Sequence, residues 1–171
     1  ALGHLYNALE SGMSGSAKEA AKGRIVSVTK EKFAQKAAWG NRLKNLWDQH
    51  PMSPERMMAE IASVLPTDTI IVDDSVTSRD SIHGSMEFSR QDSIYGATGG
   101  ALGWGMGGAL GAKLAHPDRP VVAIVGDGSA MMTVQALWTA ANENIPVVYI
   151  ICNNKSYRIL KLNMNTYKTQ I

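Results

Sequence analysis

The fold is indicated first by the stretch VVAIVGDGS, which occupies residues 121–129. Its five apolar residues, 121–125, do not alternate with polar ones, which is typical of a strand buried on both faces of a parallel sheet. The strand runs directly into Gly126, Asp127 and Gly128, a glycine-flanked turn at which the backbone can approach a ligand closely. The stretch therefore predicts a buried strand whose carboxyl end carries functional groups.

A second apolar run, residues 146–152, ends in Asn153 and Asn154. Neighbouring parallel strands of a right-handed β-α-β unit have their carboxyl ends side by side, so we expect Asp127 and Asn154 to face each other. Carboxylate and amide oxygens suit Mg²⁺, which shares its coordination shell with phosphates. Asp-Gly and Asn-Asn are each common in structural turns, so only their combination is a specific signal.

Helical and strand patterns alternate from residue 51 onward. The predicted helices cover 54–65, 103–115, 133–142 and 156–164, and the predicted strands cover 69–72, 120–125 and 146–152. This order indicates an α/β fold, a doubly wound parallel sheet with helices on both faces. Three strands are fewer than the five or six of a usual sheet, so we expect the sheet to be incomplete in this chain.

The charge distribution suggests two parts. Residues 1–50 hold 8 basic and 4 acidic side chains (net +4), and residues 51–171 hold 9 basic and 11 acidic ones (net −2). The predicted helices of the first part cover 2–10 and 29–49 around an apolar run at 25–28.

Composition excludes several classes of protein. With 44% apolar and 19% charged residues in 171, the chain is neither disordered nor a polyanion-binding tail. Its single cysteine, Cys152, argues against a disulfide scaffold and for a cytoplasmic protein, and we expect this thiol to be inert. We expect no membrane span and no nucleic-acid partner, because no apolar run approaches 20 residues and the basic residues are not clustered.

These motifs resemble those of the thiamine diphosphate-dependent decarboxylases and carboligases. Residues 126–129 (GDGS) and Asn153-Asn154 match the cofactor motif of that family. The resemblance implies that Asp127 and Asn154 bind Mg²⁺ through their side chains and that Ser156 adds its backbone carbonyl. It also assigns the cofactor diphosphate to the turn that contains Gly126, Gly128 and Ser129, with Tyr157 as a further contact.

The resemblance extends upstream and covers about residues 51–165. It implies that residues 51–171 are a cofactor domain truncated at its C-terminal end and that residues 1–50 are the tail of a preceding domain plus a linker. The segment GALGW at 100–104 looks like the segment beneath the bent cofactor, where Gly100 would offer its carbonyl to the aminopyrimidine and Leu102 would hold the two rings in a V shape. The turn at 75–78 looks like the polar turn near the diphosphate. Ser75 and Thr77 would contact the cofactor there, although Val76 stands where a hydroxyl is expected.

Within this family the resemblance is to the benzoylformate decarboxylases in particular, through the segments ALWTAA at 136–141 and NIP at 144–146. An acidic residue shortly after the Asn pair, typical of pyruvate decarboxylases, is absent, since residues 157–160 read YRIL. Acetolactate synthase-like carboligases remain an alternative. The resemblance implies a 2-oxo acid substrate and a homodimer or homotetramer with shared active sites. The activating glutamate would lie on a separate domain, so no catalytic residue is expected in this chain, which alone would be inactive.

Two functions outside this family stay open. A nucleotide-binding doubly wound domain would need a Gly-rich turn directly after a strand, and the Gly-rich segment at 96–111 follows no convincing strand. A scaffold that keeps the fold without binding a cofactor is the other. Within the Gly-rich segment, Gly103, Gly107 and Gly111 form a smooth helical stripe, which predicts packing against a sheet or a partner subunit.

Overall fold

The computed structural model describes residues 2–170. They divide into two compact units, one up to Leu46 and one from Trp47 onward. No helix in this described part of the chain is long and apolar enough to cross a membrane. The functional boundary that we place near residue 50 stays a prediction.

The first unit consists of two helices, α1 (Leu2–Gly12) and α2 (Gly15–Leu46), in which no described residue is buried. Ser14 caps α2, because its hydroxyl accepts a hydrogen bond from the Ala17 amide at 3.2 Å. The interruption predicted at residues 25–28 is wrong, since these apolar residues lie inside α2. No proline breaks this Ala- and Lys-rich segment, so the helix continues through it.

The second unit contains a four-stranded parallel sheet of order β2-β1-β3-β4. The strands are β1 (Ile70–Asp74), β2 (Ile94–Gly96), β3 (Val121–Gly126) and β4 (Val148–Cys152). The predicted strands at 69–72, 120–125 and 146–152 are thus confirmed within two residues. Strand β2 was not predicted, because three residues without an apolar run give no periodic signal.

Helices cover both faces of the sheet, as the fold prediction requires. They are α3 (Pro54–Val64), α4 (Arg79–Ser85), α5 (Trp104–Ala115), α6 (Asp127–Met132) and α7 (Ala136–Asn142). A last helix, α8 (Arg158–Gln170), follows β4, and none of its described residues is buried. The helix predicted over 133–142 is shorter, because α6 ends at Met132 and α7 begins at Ala136. Helix α4 was missed, since seven residues are too few to show a helical period.

The core lies in two layers, one on each side of the sheet. On one side, alternate residues of β1 and β3 pack against α5, α6 and α7, with Met106, Ala109 and Ala130 among the buried contacts. On the other side, Ile71, Val122 and Ile124 pack with Met58 of α3 and Ile82 of α4. Both faces of β1 and β3 are therefore apolar, which explains why their sequences lack an alternating pattern.

Helix α3 begins at a capped end. Ser53 has extended backbone angles, its hydroxyl accepts from the Arg56 amide at 3.2 Å, and Pro54 occupies the first helical position. Both features were predicted from the Ser-Pro pair and are confirmed.

Replacing Ser53 with alanine is expected to lower the free energy of unfolding by about 1 kcal/mol, because the helix loses this acceptor in a buried position. Urea denaturation followed by circular dichroism measures the change. Ser63→Ala, near the exposed end of the same helix, is the matched control and is expected to change the free energy by less than about 0.5 kcal/mol. Equal effects of the two substitutions would contradict the cap.

The predicted glycine stripe does not face this sheet. An added Cβ at Gly107 or Gly111 would meet no atom within 4 Å, whereas one at Gly105 would lie 2.5 Å from the Cβ of Asp74 in β1. The buried face of α5 thus contains Gly105, Met106 and Ala109, in a different register. Packing of Gly107 and Gly111 against a partner subunit stays a prediction.

Candidate functional site

The predicted site residues all follow the carboxyl ends of the four strands. Because the sheet is parallel, these ends lie along one edge. The predicted cofactor and metal residues come in four groups along this edge, in spatial order: Gly100 and Leu102 after β2, Ser75 and Thr77 after β1, residues 126–129 at the end of β3, and Asn154, Ser156 and Tyr157 after β4. Topology thus brings together residues that are up to 82 positions apart (157 − 75) in the sequence.

The first turn of α6, which follows β3 directly, and the turn after β4 are neighbours. The two strands pair in parallel with Val125 opposite Ile151 and Gly126 opposite Cys152, so Asp127 and Asn153 leave the sheet at the same level. The aromatic ring of Tyr157 closes over the first turn, since a Cβ built on Gly128 would lie 2.8 Å from its Cε1 atom. The absence of a side chain at Gly128 therefore allows the two turns to approach each other.

Hydrogen bonds between its own residues shape the asparagine turn. The side-chain oxygen of Asn153 accepts from the Lys155 amide at 3.0 Å, and that of Asn154 accepts from the Ser156 amide at 2.9 Å. Lys155 has a φ of +54°, in the left-handed region. Two successive side-chain turns thus orient the asparagine oxygens without any ligand.

The turn after β1 is built on Asp73. This buried carboxylate accepts from the Ser75 amide at 3.0 Å and from the Ser75 hydroxyl at 2.7 Å, and its other oxygen accepts from the Arg79 Nε atom at 2.7 Å. Val76 has a φ of +20°, which is unusual for a β-branched residue, and Thr77 beside it is half-buried. The Ser75 hydroxyl therefore holds the turn in shape.

The neighbouring Asp74 is also buried and reaches two other parts of the edge. Its Oδ2 atom accepts from the backbone amides of Gly103 at 3.0 Å and Gly105 at 3.1 Å, and its backbone pairs beside Val125 at the end of β3. Burial raises the pKa of Asp74, and the hydrogen bonds from Gly105, Ser129 and Gly103 oppose that rise. The sequence showed this residue only as the end of a strand.

The loop after β2 carries the residues predicted to lie beneath the cofactor. Gly99, Gly100 and Gly103 have φ values of +78°, +75° and +82°, which glycine adopts without strain. Leu102 between them is 41% exposed, so its side chain is available to a ligand at this edge. We expected no convincing strand before this Gly-rich segment, and that expectation is wrong, because β2 ends at Gly96.

Cys152 lies beside these turns but is protected. Burial raises the pKa of its thiol to about 11, with smaller contributions from a hydrogen bond to Ser78, which lowers it, and from the carboxylates of Asp73 and Asp127, which raise it. The thiol therefore stays protonated at neutral pH, as expected for an inert cysteine.

Alkylation of Cys152 by iodoacetamide at pH 8 is expected to be roughly 100-fold slower in the folded protein than in urea, because only the thiolate reacts and its fraction falls about tenfold for each unit of pKa. The rate should rise with pH until it levels off near pH 11. Mass spectrometry of the labelled peptide measures both rates. A folded-state rate that levels off near pH 9 would contradict the burial of this thiol.

The chemistry of the turn residues fits a magnesium ion shared with a diphosphate. The described residues contain no group of three or more His, Cys, Asp or Glu side chains that could hold a metal ion. The ligands that the turn residues could offer are hard oxygens: the half-buried Asp127 carboxylate, the Asn154 amide oxygen and the Ser156 carbonyl. Mg²⁺ binds such partial sets and completes its octahedron with phosphate oxygens and water.

Comparisons with known proteins agree with this chemistry. Residues 78–170 match the model of the thiamine pyrophosphate enzymes, C-terminal TPP binding domain, in which TPP is thiamine diphosphate. The chain is 37% identical over 111 residues to a benzoylformate decarboxylase of Pseudomonas aeruginosa, covering 65% of this chain and 21% of that enzyme. It is 38% identical over 104 residues to a putative acetolactate synthase large subunit of Mycobacterium tuberculosis, covering 61% of this chain and 20% of that protein.

Solved structures show the same relationship. A thiamine diphosphate-dependent 4-hydroxybenzoylformate decarboxylase of Rhodococcus jostii RHA1 matches 69% of this chain and 22% of its own, with 40% identity and a TM-score of 0.67. A benzoylformate decarboxylase of Polynucleobacter necessarius matches with a TM-score of 0.65, 26% identity and coverage of 71% and 24%. This chain thus spans about a fifth of the length of the relatives that it matches. The chain belongs to the thiamine pyrophosphate enzymes, and its residues 78–170 match their C-terminal TPP binding domain.

Proposed function

We propose that this chain anchors thiamine diphosphate and Mg²⁺ in a 2-oxo acid decarboxylase similar to benzoylformate decarboxylase. The observation that carries the proposal is the parallel register of β3 and β4, which brings the Asp127 turn and the Asn154 turn to the same level of one sheet edge. The family match supports thiamine diphosphate over a nucleotide as the ligand of this edge. It also makes a scaffold without a ligand the weaker reading.

Electrostatics explains why a cation would be needed. The carboxylates of Asp73, Asp74 and Asp127 stand at the ends of β1 and β3. Of these three, only Asp73 forms an ion pair with another described residue, namely Arg79. A diphosphate beside Asp127 would meet like charge, which is costly near a protein surface. Mg²⁺ held by Asp127, Asn154 and the Ser156 carbonyl would turn this repulsion into attraction.

The chain's own residues would then hold and orient the cofactor. The diphosphate would lie against the turn of Gly126, Gly128 and Ser129, with the Ser75–Thr77 turn beside it, and Tyr157 would close the far side. Leu102 would support the rings and Gly100 would offer its carbonyl to them. When bound, the cofactor supplies the stabilisation of negative charge that breaking or forming a carbon–carbon bond next to a carbonyl requires.

An aryl 2-oxo acid is supported as the substrate by the names of three relatives, which are decarboxylases of benzoylformate or 4-hydroxybenzoylformate. Leu102 and Tyr157, which are 41% and 60% exposed, offer apolar surface next to the cofactor position. A carboligase similar to acetolactate synthase is the alternative. By resemblance, the activating glutamate would come from another domain of a neighbouring subunit, so the active form would be at least a dimer and this chain alone would not turn over.

Calorimetric titration of the full-length protein with thiamine diphosphate, with and without Mg²⁺, tests the anchoring role. We expect micromolar or tighter binding with Mg²⁺ and weak binding in EDTA. Tight binding in EDTA, or tighter binding of ADP or NAD, would contradict the proposal. Decarboxylation assays with benzoylformate and pyruvate, and an acetolactate assay, then separate the decarboxylase from the carboligase.

A further inference from the structure

Buried Asp74 joins the two halves of the proposed cofactor site. Asp74 is 2% exposed, and its Oδ2 atom accepts from the amides of both Gly103 and Gly105. The backbone of Asp74 pairs opposite Val125, and its carbonyl oxygen would lie 3.8 Å from a Cβ added to Gly126, in the turn proposed to bind the diphosphate. One residue of β1 thus contacts both the loop beneath the cofactor rings and the diphosphate turn.

Gly103 is held from several directions, so it is the point at which the loop beneath the rings is fixed. Its amide donates to Asp74, and its carbonyl accepts from the Thr133 hydroxyl. An added Cβ would lie 2.7 Å from the Cβ of Met132, and its φ of +82° favours glycine. Gly100 and Leu102, two of the residues proposed to contact the rings, lie within three positions of this anchor.

Burying a carboxylate is costly, and an apolar residue at the end of a strand would avoid that cost. Two backbone donors at the start of α5 offset part of that cost here, and in a buried site such bonds fix a unique arrangement. A role confined to the end of β1 would not require donors from α5. The contacts of Asp74 are those of a residue that sets the distance between two segments.

We propose that Asp74 is a positioning residue, which holds the loop carrying Gly100 and Leu102 at a fixed distance from the diphosphate turn so that both ends of thiamine diphosphate are bound at once. The inference rests on the proposed function of this site. It assigns Asp74 no contact with the cofactor and no proton transfer.

The test compares a ligand that uses both halves of the site with one that uses a single half. Affinities of the full-length protein for thiamine diphosphate and for inorganic diphosphate, each with Mg²⁺, are measured by calorimetry. In Asp74→Ala we expect the affinity for thiamine diphosphate to fall at least tenfold further than that for inorganic diphosphate. Equal losses for both ligands, or no loss, would overturn the proposal, because a purely structural defect affects both alike.

Two further variants sharpen this result. Asp74→Asn keeps an oxygen for the glycine amides. The ratio of the affinity for thiamine diphosphate to that for inorganic diphosphate should therefore stay within about threefold of the wild-type ratio. A loss as large as that of alanine would contradict positioning through hydrogen bonds. If Asp74→Ala does not fold, Thr133→Val loosens the same anchor at the Gly103 carbonyl and should lower the ratio, whereas an unchanged ratio would overturn the proposal.

A readout without ligand separates this inference from the proposed function. Amide hydrogen exchange of peptides that contain Gly103 and Gly105 should accelerate at least tenfold in Asp74→Ala, but not in Asp118→Ala, whose exposed carboxylate lies at the opposite edge of the sheet. Unchanged exchange would overturn the anchor itself. If exchange accelerates but wild-type protein binds no thiamine diphosphate, the proposed function fails and the anchor stands.

Discussion

Replacing Asp127 with alanine is expected to weaken Mg²⁺-dependent binding of thiamine diphosphate at least about 100-fold. Asp127 is the only carboxylate in the proposed ligand set, and outer-shell changes alone cost about 10–100-fold in metal affinity. Removing it leaves two neutral oxygens, which hold a hard divalent cation weakly. Asp127→Asn, which keeps an oxygen but loses the charge, should fall between the alanine variant and the wild type.

Calorimetric titration of the full-length protein measures these affinities over a range of Mg²⁺ concentrations. Asp118→Ala is the matched control, since it removes one carboxylate from an exposed turn between α5 and β3 at the other edge of the sheet. The Asp127 variants should approach wild-type affinity at high Mg²⁺, because mass action compensates a weaker metal site. An affinity that is unchanged in Asp127→Ala would remove Asp127 from the site and with it the main support of the proposed function.

The second large effect is on stability and concerns Gly105. A Cβ at this position would lie 2.5 Å from the Cβ of Asp74 and 3.2 Å from its Oδ2 atom, in a fully packed contact between α5 and β1. Gly105→Ala is therefore expected to lower the free energy of unfolding by about 2–3 kcal/mol, despite the better helix propensity of alanine. It should also weaken cofactor binding, because the clash displaces the carboxylate that holds Gly103.

Gly107→Ala in the same helix is the control, since an added Cβ there meets no atom within 4 Å. It is expected to raise the free energy of unfolding by up to about 1 kcal/mol through helix propensity alone. Urea denaturation measures both variants, and sedimentation of Gly107→Ala shows whether a partner subunit packs on this face. Similar stabilities of the two alanine variants would contradict the packing of α5 against β1.

Much of the fold was predictable because its signals are local. Uninterrupted apolar runs at 121–125 and 146–152 indicate strands buried on both faces, and Ser53-Pro54 marks the start of α3. The sequence did not predict β2 and α4, because elements of three and seven residues are too short to show a period. Helix α2 continues through the apolar residues at 25–28 because nothing in that segment interrupts it.

The site divides in the same way. The motifs at 126–129 and 153–154 can be read from sequence because turns at strand ends have a narrow choice of residues, and the family match agrees with them. The roles of the individual residues stay predictions. Asp74 could not be found from sequence, because its carboxylate binds the backbone amides of Gly103 and Gly105, which lie 29 and 31 positions away (103 − 74, 105 − 74), and a backbone donor leaves no mark in a sequence.

The sequence by itself determined which residue types stand at the ends of the buried parallel strands: oxygen-bearing side chains and glycines, in motifs shared with the thiamine pyrophosphate enzymes. Only the tertiary structure decided which segments touch. Sheet order β2-β1-β3-β4 places β1 at the centre, so its last residues reach the loop after β2 and the turn after β3. The physical reason is that hydrogen bonds and steric contacts between distant segments depend on how the sheet is assembled, which no local pattern records.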